Sequence, residues 1–406
     1  MNNVKIQKLF TILVVLLPFL YQYRSPISVI SFGEFILLPF MVYFLIKNFS
    51  TKVKYKEFNG LYTYFFVAIL FNFIASLQTY YSYKEFITVF ARIAYYALLI
   101  YIAYHNFDFK YGIKVLIGTS LFFSLYVLLQ RVVYHSVNIY LPTVISPNLV
   151  FPGEESGNRL DYANYYRWSY RPSSLFLEPG YFISYAAPAL LALLYFEDIN
   201  RKKMIIALII TVGFVASTSS AAIIVLGVAW GFFILKNLYR KDGKVETKRL
   251  MLLLLIVLFM FILLLSPLAT TLIQRTSTGG SFNNRITRAF ILFQNTNLFQ
   301  KFTGVGINNI ANFVNETGSY TIYDEKDLNF VSSYIGTLLA SGIFTFIFYN
   351  KYLITLYCRN KQTYTKLLVL IFLFYNFIEN MVFTYRFAFY TILILGAQKF
   401  YKKTTE

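Results

Sequence analysis

Apolar runs separated by short polar stretches, many of them carrying lysine, set the pattern of this chain. Twelve such runs, each roughly 15–22 residues, begin near Leu9, Ile27, Leu61, Glu85, Ile113, Pro179, Met204, Ala221, Leu250, Val331, Lys366 and Arg386. Runs such as Leu250–Leu265 are too long and apolar for an ordinary core helix. Lipid offers the backbone no hydrogen bonds, so spans of this length predict α-helices. The expectation is an all-α fold: a polytopic transmembrane bundle of about 12 helices, with residues 1–406 forming one integral membrane domain.

Two polar excursions break the rhythm, roughly 133–178 and 266–330. Loops of that length are functional or disordered. Trp168, several tyrosines and partial helical patterns favour order here. Within the second, Ile286, Ala289, Phe290 and Phe293 recur at helical spacing, which predicts an amphipathic helix near 284–295.

Composition agrees. The chain is 57% hydrophobic and 14% charged, against about a quarter charged for a soluble domain. The net charge of +19 is spread over many inter-helix stretches, so topology and anionic headgroups account for it and nucleic acid is not an expected partner. Cys358 is the only cysteine, which rules out an internal disulfide. The two histidines, His105 and His135, are isolated, so neither a metal site nor a cofactor is expected.

The basic residues then sort by type. With both termini placed in the cytoplasm, the inward stretches hold 24 of the 37, and 20 of these are Lys. This follows the positive-inside rule. Of the remaining 13, ten are Arg, and most lie in or beside the two long outer loops. Guanidinium forks bind phosphate and diphosphate bidentately. The outer arginines are therefore candidate anion ligands: Arg159, Arg167 and Arg171 in the first loop, Arg285 and Arg288 on one face of the second, and Arg92 inside a span.

Glu178 precedes Pro179 at the mouth of a helix, and two roles fit it. A carboxylate there can cap the helix and complement its dipole, or take a proton from a hydroxyl as a general base. Glu85 with Arg92 and Glu379 with Arg386 are each seven apart, which suits structural pairing; Arg92 also suits the wall of an external cleft. Thr303-Gly-Val-Gly has no strand before it, so it reads as a tight turn and not as a nucleotide loop.

Three stretches resemble the O-antigen polymerase and ligase superfamily of bacterial membrane proteins. Arg171-Pro-Ser-Ser-Leu-Phe-Leu-Glu-Pro-Gly-Tyr-Phe is similar to that family's Arg-x-x-(Ser/Gly)-x-Phe-x-(Glu/Asn)-Pro segment. Ala216-Ser-Thr-Ser-Ser-Ala is similar to its Thr-x-Ser-Arg turn, with Ser220 where Arg is common. Thr303-Gly-Val-Gly and Tyr334-Ile-Gly-Thr-Leu-Leu-Ala-Ser-Gly342 are similar to its later loop and helix entry. The resemblance implies a metal-independent glycosyltransferase at the outer face of the bacterial cytoplasmic (inner) membrane. Undecaprenyl-diphosphate-linked glycan would serve as donor and acceptor, in a polymerase making a surface polysaccharide such as O-antigen, capsule or exopolysaccharide. Under it Glu178 activates the acceptor, Arg171, Arg285 and Arg288 stabilise the leaving diphosphate, and Arg92, Arg159, Arg167, Tyr181 and Tyr334 bind substrate. A chain-length regulator and a flippase would be possible partners, beside membrane lipid. Ligase members often carry a His about eleven residues before the Gly matched by Gly342; this chain has Val331 there, which favours polymerase over ligase. A lipid-linked oligosaccharide flippase is the alternative from another class, although long loops and arginines on one side favour one-sided chemistry.

Overall fold

The structure is a computed structural model that describes residues 3–27, 29–48, 55–151, 170–196, 199–238, 283–319 and 331–405. Regular structure among them is helical, and extended pairing is limited to the isolated bridges Tyr23–Val150 and Arg24–Ser31. Among the described residues, five helices are long and apolar enough to cross a membrane, and shorter apolar helices accompany them. This is a membrane protein. The apolar run from Leu250 lies outside the described residues, as do Arg159, Arg167 and Arg275.

The chain divides into two compact units. The first contains Met1–Thr11, Leu38–Phe109 and Gly279–Glu406; the second contains Ile12–Leu37 and Lys110–Thr278.

Helices α1 (Asn3–Leu20) and α2 (Phe32–Asn48) are each divided between the units, and the second unit takes Ile12–Leu20, the turn Tyr21–Ser31 and Phe32–Leu37, with α5 (Phe109–Val137) following later in the chain. Helices α6 (Pro179–Tyr195), α7 (Arg201–Ala216) and α8 (Ser220–Leu238) complete it. Helix α6 is buried from Phe182 to Leu194, because its apolar residues run round the whole cylinder. Tyr185 bonds Thr119 of α5 at 2.6 Å, and the Phe182 and Phe214 rings meet edge to face. The Trp230 indole of α8 donates to Thr211 of α7 at 3.0 Å. The described part of the first long loop docks on the α1–α2 corner, where Arg24 N–H donates to Leu149 O and Phe151 N–H to Gln22 O.

The first unit is built on α3 (Tyr55–Ala75) and α4 (Tyr83–Asn106). Helices α12 (Ser333–Arg359), α13 (Thr363–Ile378) and α14 (Tyr385–Thr405) join them. Between these sets run a π-helical turn, Asn283–Thr287, and three short helices: α9 (Arg288–Gln294), α10 (Leu298–Thr303) and α11 (Ile310–Thr317). The amphipathic element expected near 284–295 is this π-turn with α9. Its buried side is Ala289 and Leu292, with Phe290 exposed, so the apolar stripe is rotated from the one the spacing suggests.

The run from Val331, expected as one continuous helix, is instead two limbs. Gly342 breaks α12 with φ 75° and ψ 176°. The chain folds back there: the Tyr334 hydroxyl donates to Asn350 at 3.0 Å, and its ring meets Phe346 at 4.7 Å. In a straight helix, residues 16 apart lie about 24 Å from each other. The first limb, Ser333–Ser341, is about 13 Å long at the helical rise, too short to cross a membrane. The break strips helical partners from the Leu339 and Ala340 carbonyls. Val305 and Gly306 restore them by donating their N–H groups at 3.0 and 2.9 Å. Buried backbone polar groups left unpaired cost about 1–3 kcal/mol each, so the Thr303-Gly-Val-Gly turn seals the opened helix. Glycine is required on both strands of the contact: a Cβ at Gly304 would overlap the Ala340 carbonyl, and one at Gly342 the Phe302 carbonyl.

Candidate functional site

Each unit holds one group of the residues that sequence reasoning singled out. In the second unit, Arg171–Glu178 forms a strap leading into α6. Proline at the first helical position keeps Glu178 extended, at φ −133° and ψ 144°, as the N-cap residue. The Glu178 side chain is half-buried and makes no capping hydrogen bond to the helix. Arg171 is exposed, and Tyr181 sits half-buried in the first turn of α6.

Two buried glutamines fix the strap. Gln130 of α5 accepts from Ser174 N–H at 2.9 Å and donates to Ser174 O at 3.1 Å. Gln22 from the α1–α2 corner donates to Leu175 O at 2.5 Å and accepts from Leu177 N–H at 3.2 Å. Ser174 holds a left-handed backbone, φ 58°, between them. Phe176 is buried against Phe19, Phe123 and Tyr185. The sequence gives no hint of these glutamines, which lie far from the strap along the chain.

In the first unit, the first limb of α12 forms a wall of a cavity of about 310 Å³. Ser333, Thr337 and Ser341 contribute hydroxyls, Asn308 and Asn380 amides, and Arg92 of α4 the one charged lining side chain among the described residues. Part of the lining comes from the segment after Gly306, which is held firmly. The Asn72 carboxamide accepts from Ile307 N–H at 2.9 Å and from the Tyr81 hydroxyl at 2.8 Å. Burial pushes the Tyr81 phenol up to about 12, so it remains a neutral donor.

Asn380 leads into a charged cluster. Glu379 meets Arg285 at 3.0 Å and Arg386 at 3.4 Å, all three largely buried. Arg386 also donates to Asn380 O at 3.2 Å, and Arg285 to Ile378 O. The Ser333 hydroxyl accepts from Met381 and Val382 N–H, while Ser333 N–H donates to Glu379 O at 2.9 Å. Two guanidinium groups around one carboxylate leave the cluster net positive. The Glu379–Arg386 pairing across the turn agrees with the seven-residue spacing. Arg285 joins Glu379 as well, so it does not stand solely as half of a fork with Arg288, which is half-buried at the start of α9.

Tyr334 packs its ring on Phe377 at 4.2 Å and bonds Asn350, holding the two limbs of α12 together. It is not among the cavity-lining residues. Among the described residues, no three His, Cys, Asp or Glu side chains converge as a metal-binding group. No protein-family model matches this sequence, and a search of curated proteins finds no match.

Proposed function

We propose that this protein is a polymerase joining undecaprenyl-diphosphate-linked oligosaccharide repeats into a surface polysaccharide. It works at the outer face of a bacterial cytoplasmic membrane, with about 12 spans, both termini inside and both long loops outside. The acceptor hydroxyl oxygen forms a bond to the anomeric carbon of the donor sugar. The bond from that carbon to the diphosphate breaks, and its electron pair leaves with undecaprenyl diphosphate. Glu178 takes the hydroxyl proton as general base. Arg92, Arg171, Arg285 and Arg288 supply positive charge to the departing diphosphate.

The observation that carries this reading is the cavity in which Arg92 is, among the described residues, the one charged lining residue, with the net-positive Arg285–Glu379–Arg386 cluster following on from its Asn380. An arginine within an apolar helix is costly unless it faces a cavity or partner. Hydroxyl and amide groups beside a guanidinium suit a phosphorylated sugar better than an apolar ligand.

The test is Arg92→Ala in cells, with the surface glycan resolved on a gel. A fall in long-chain product on the order of 10²-fold, with one repeat unit still displayed and the protein still in the membrane, supports the reading. Wild-type chain length defeats it. Loaded long chains left on the lipid carrier would indicate a ligase, and no exported glycan a flippase.

A further inference from the structure

We infer that Gln22 and Gln130 are positioning residues that set the place and orientation of Glu178. This inference rests on the reading of Glu178 as the base that activates the acceptor.

Between Arg171 and Pro179 no helix or sheet ladder satisfies the chain, yet Ser173, Ser174 and Phe176 are buried. Its polar groups therefore need partners from elsewhere. Ser173 supplies one locally, its hydroxyl donating to Phe176 O at 2.5 Å. The others come from the two glutamines. A carboxamide presents one donor and one acceptor side by side, so it can mimic a neighbouring strand. Gln130 does this to a single residue, taking both the N–H and the carbonyl of Ser174. Gln22 does it across a two-residue step, from Leu175 O to Leu177 N–H. Leu177 is the residue immediately before Glu178, so the second clamp ends one peptide from the carboxylate.

Both glutamines are themselves fixed. Gln130 is fully buried and Gln22 is 3% exposed. Gln130 also donates to Pro142 O at 3.1 Å, and Gln22 to the Tyr23 hydroxyl at 3.2 Å. Tyr23 in turn accepts from Ile145 N–H at 3.2 Å. Each clamp thus joins the strap to the described part of the first long loop. A hydrophobic anchor completes the arrangement, with Phe176 between the clamps. Helix capping alone explains none of this, because the clamps grip the chain ahead of the helix and leave the cap side chain untouched.

Displacing a catalytic group by about 1 Å costs on the order of 10²-fold in rate. The test uses the full-length protein in lipid nanodiscs with lipid-linked repeat units as substrate. Gln22→Leu and Gln130→Leu remove both bonds at nearly constant volume. The expected result is a kcat lower by on the order of 10²-fold at a KM within about twofold of wild type, since neither glutamine is among the groups proposed to bind substrate. Gln22→Glu and Gln130→Glu keep the accepting oxygen, and each retains more kcat than its Leu counterpart. Where a Leu variant does not elute as a folded particle, the Glu variant decides by the same split. Wild-type kcat in the folded variants, or a rise in KM at constant kcat, overturns the inference. Glu178→Gln is measured alongside. If it is inactive while the glutamine variants are normal, the base stands and the positioning role falls; if it is fully active, the base itself falls.

Discussion

Glu379 stands where the π-helical turn, the end of α13 and the start of α14 meet, and its carboxylate is shared by two arginines. Removing one member of a buried ionic group leaves the others uncompensated, which costs about 3 kcal/mol. Glu379→Gln should therefore lower the unfolding temperature in detergent, and an unchanged melt would show the cluster to be energetically idle. Arg288→Ala should abolish long-chain polymer while the protein still inserts, and normal chain length would remove Arg288 from the site. The Glu379–Arg386 pair was legible in the sequence because both residues flank one short turn. Arg285 was not legible as its third member, since nothing in one sequence links residues that far apart. Reading Arg285 and Arg288 as a fork followed from helical spacing, yet the local turn is π-helical and Arg285 points its charge at Glu379.

At the scale of elements, the break in α12 decides the shape of the cavity wall. Gly342 occupies a backbone region almost reserved for glycine, and other residues there cost about 1–3 kcal/mol. Gly342→Ala and Gly304→Ala should both destabilise strongly, because the added methyl also meets a backbone carbonyl. Gly118→Ala in α5 is the control: nothing lies within 4 Å of its added methyl, so it should be neutral or slightly stabilising. Equal thermal shifts in all three would refute this account. The described helices were legible as apolar runs, and three of their starts fall close to the predicted ones at Pro179, Val331 and Arg386. The fold-back was not. A lone glycine in an apolar run reads as a tolerated helix residue. Only pairing with Val305 and Gly306 across a long separation gives it meaning.

For the whole molecule, sidedness is the property on which the proposed chemistry depends. Asn138 and Lys361 are both exposed. In a Cys358→Ser background, a membrane-impermeant maleimide added to intact cells should label Asn138→Cys and spare Lys361→Cys. The reverse pattern would put the arginine-rich loops in the cytosol and remove the lipid-linked substrate from their reach. The lysine bias predicts this arrangement and the labelling tests it, whereas the division into two compact units was not readable from sequence, because every apolar run looks alike to a hydropathy scale. The sealed bend at Gly342 bears finally on biogenesis. Residues 305 and 306 leave the ribosome before 339 and 340 do. The donors are thus waiting when the short limb emerges, and it need never meet lipid with its carbonyls bare. Moving that turn to the far side of the limb, by circular permutation, should leave the nascent chain stalled or degraded even though every native contact could still form.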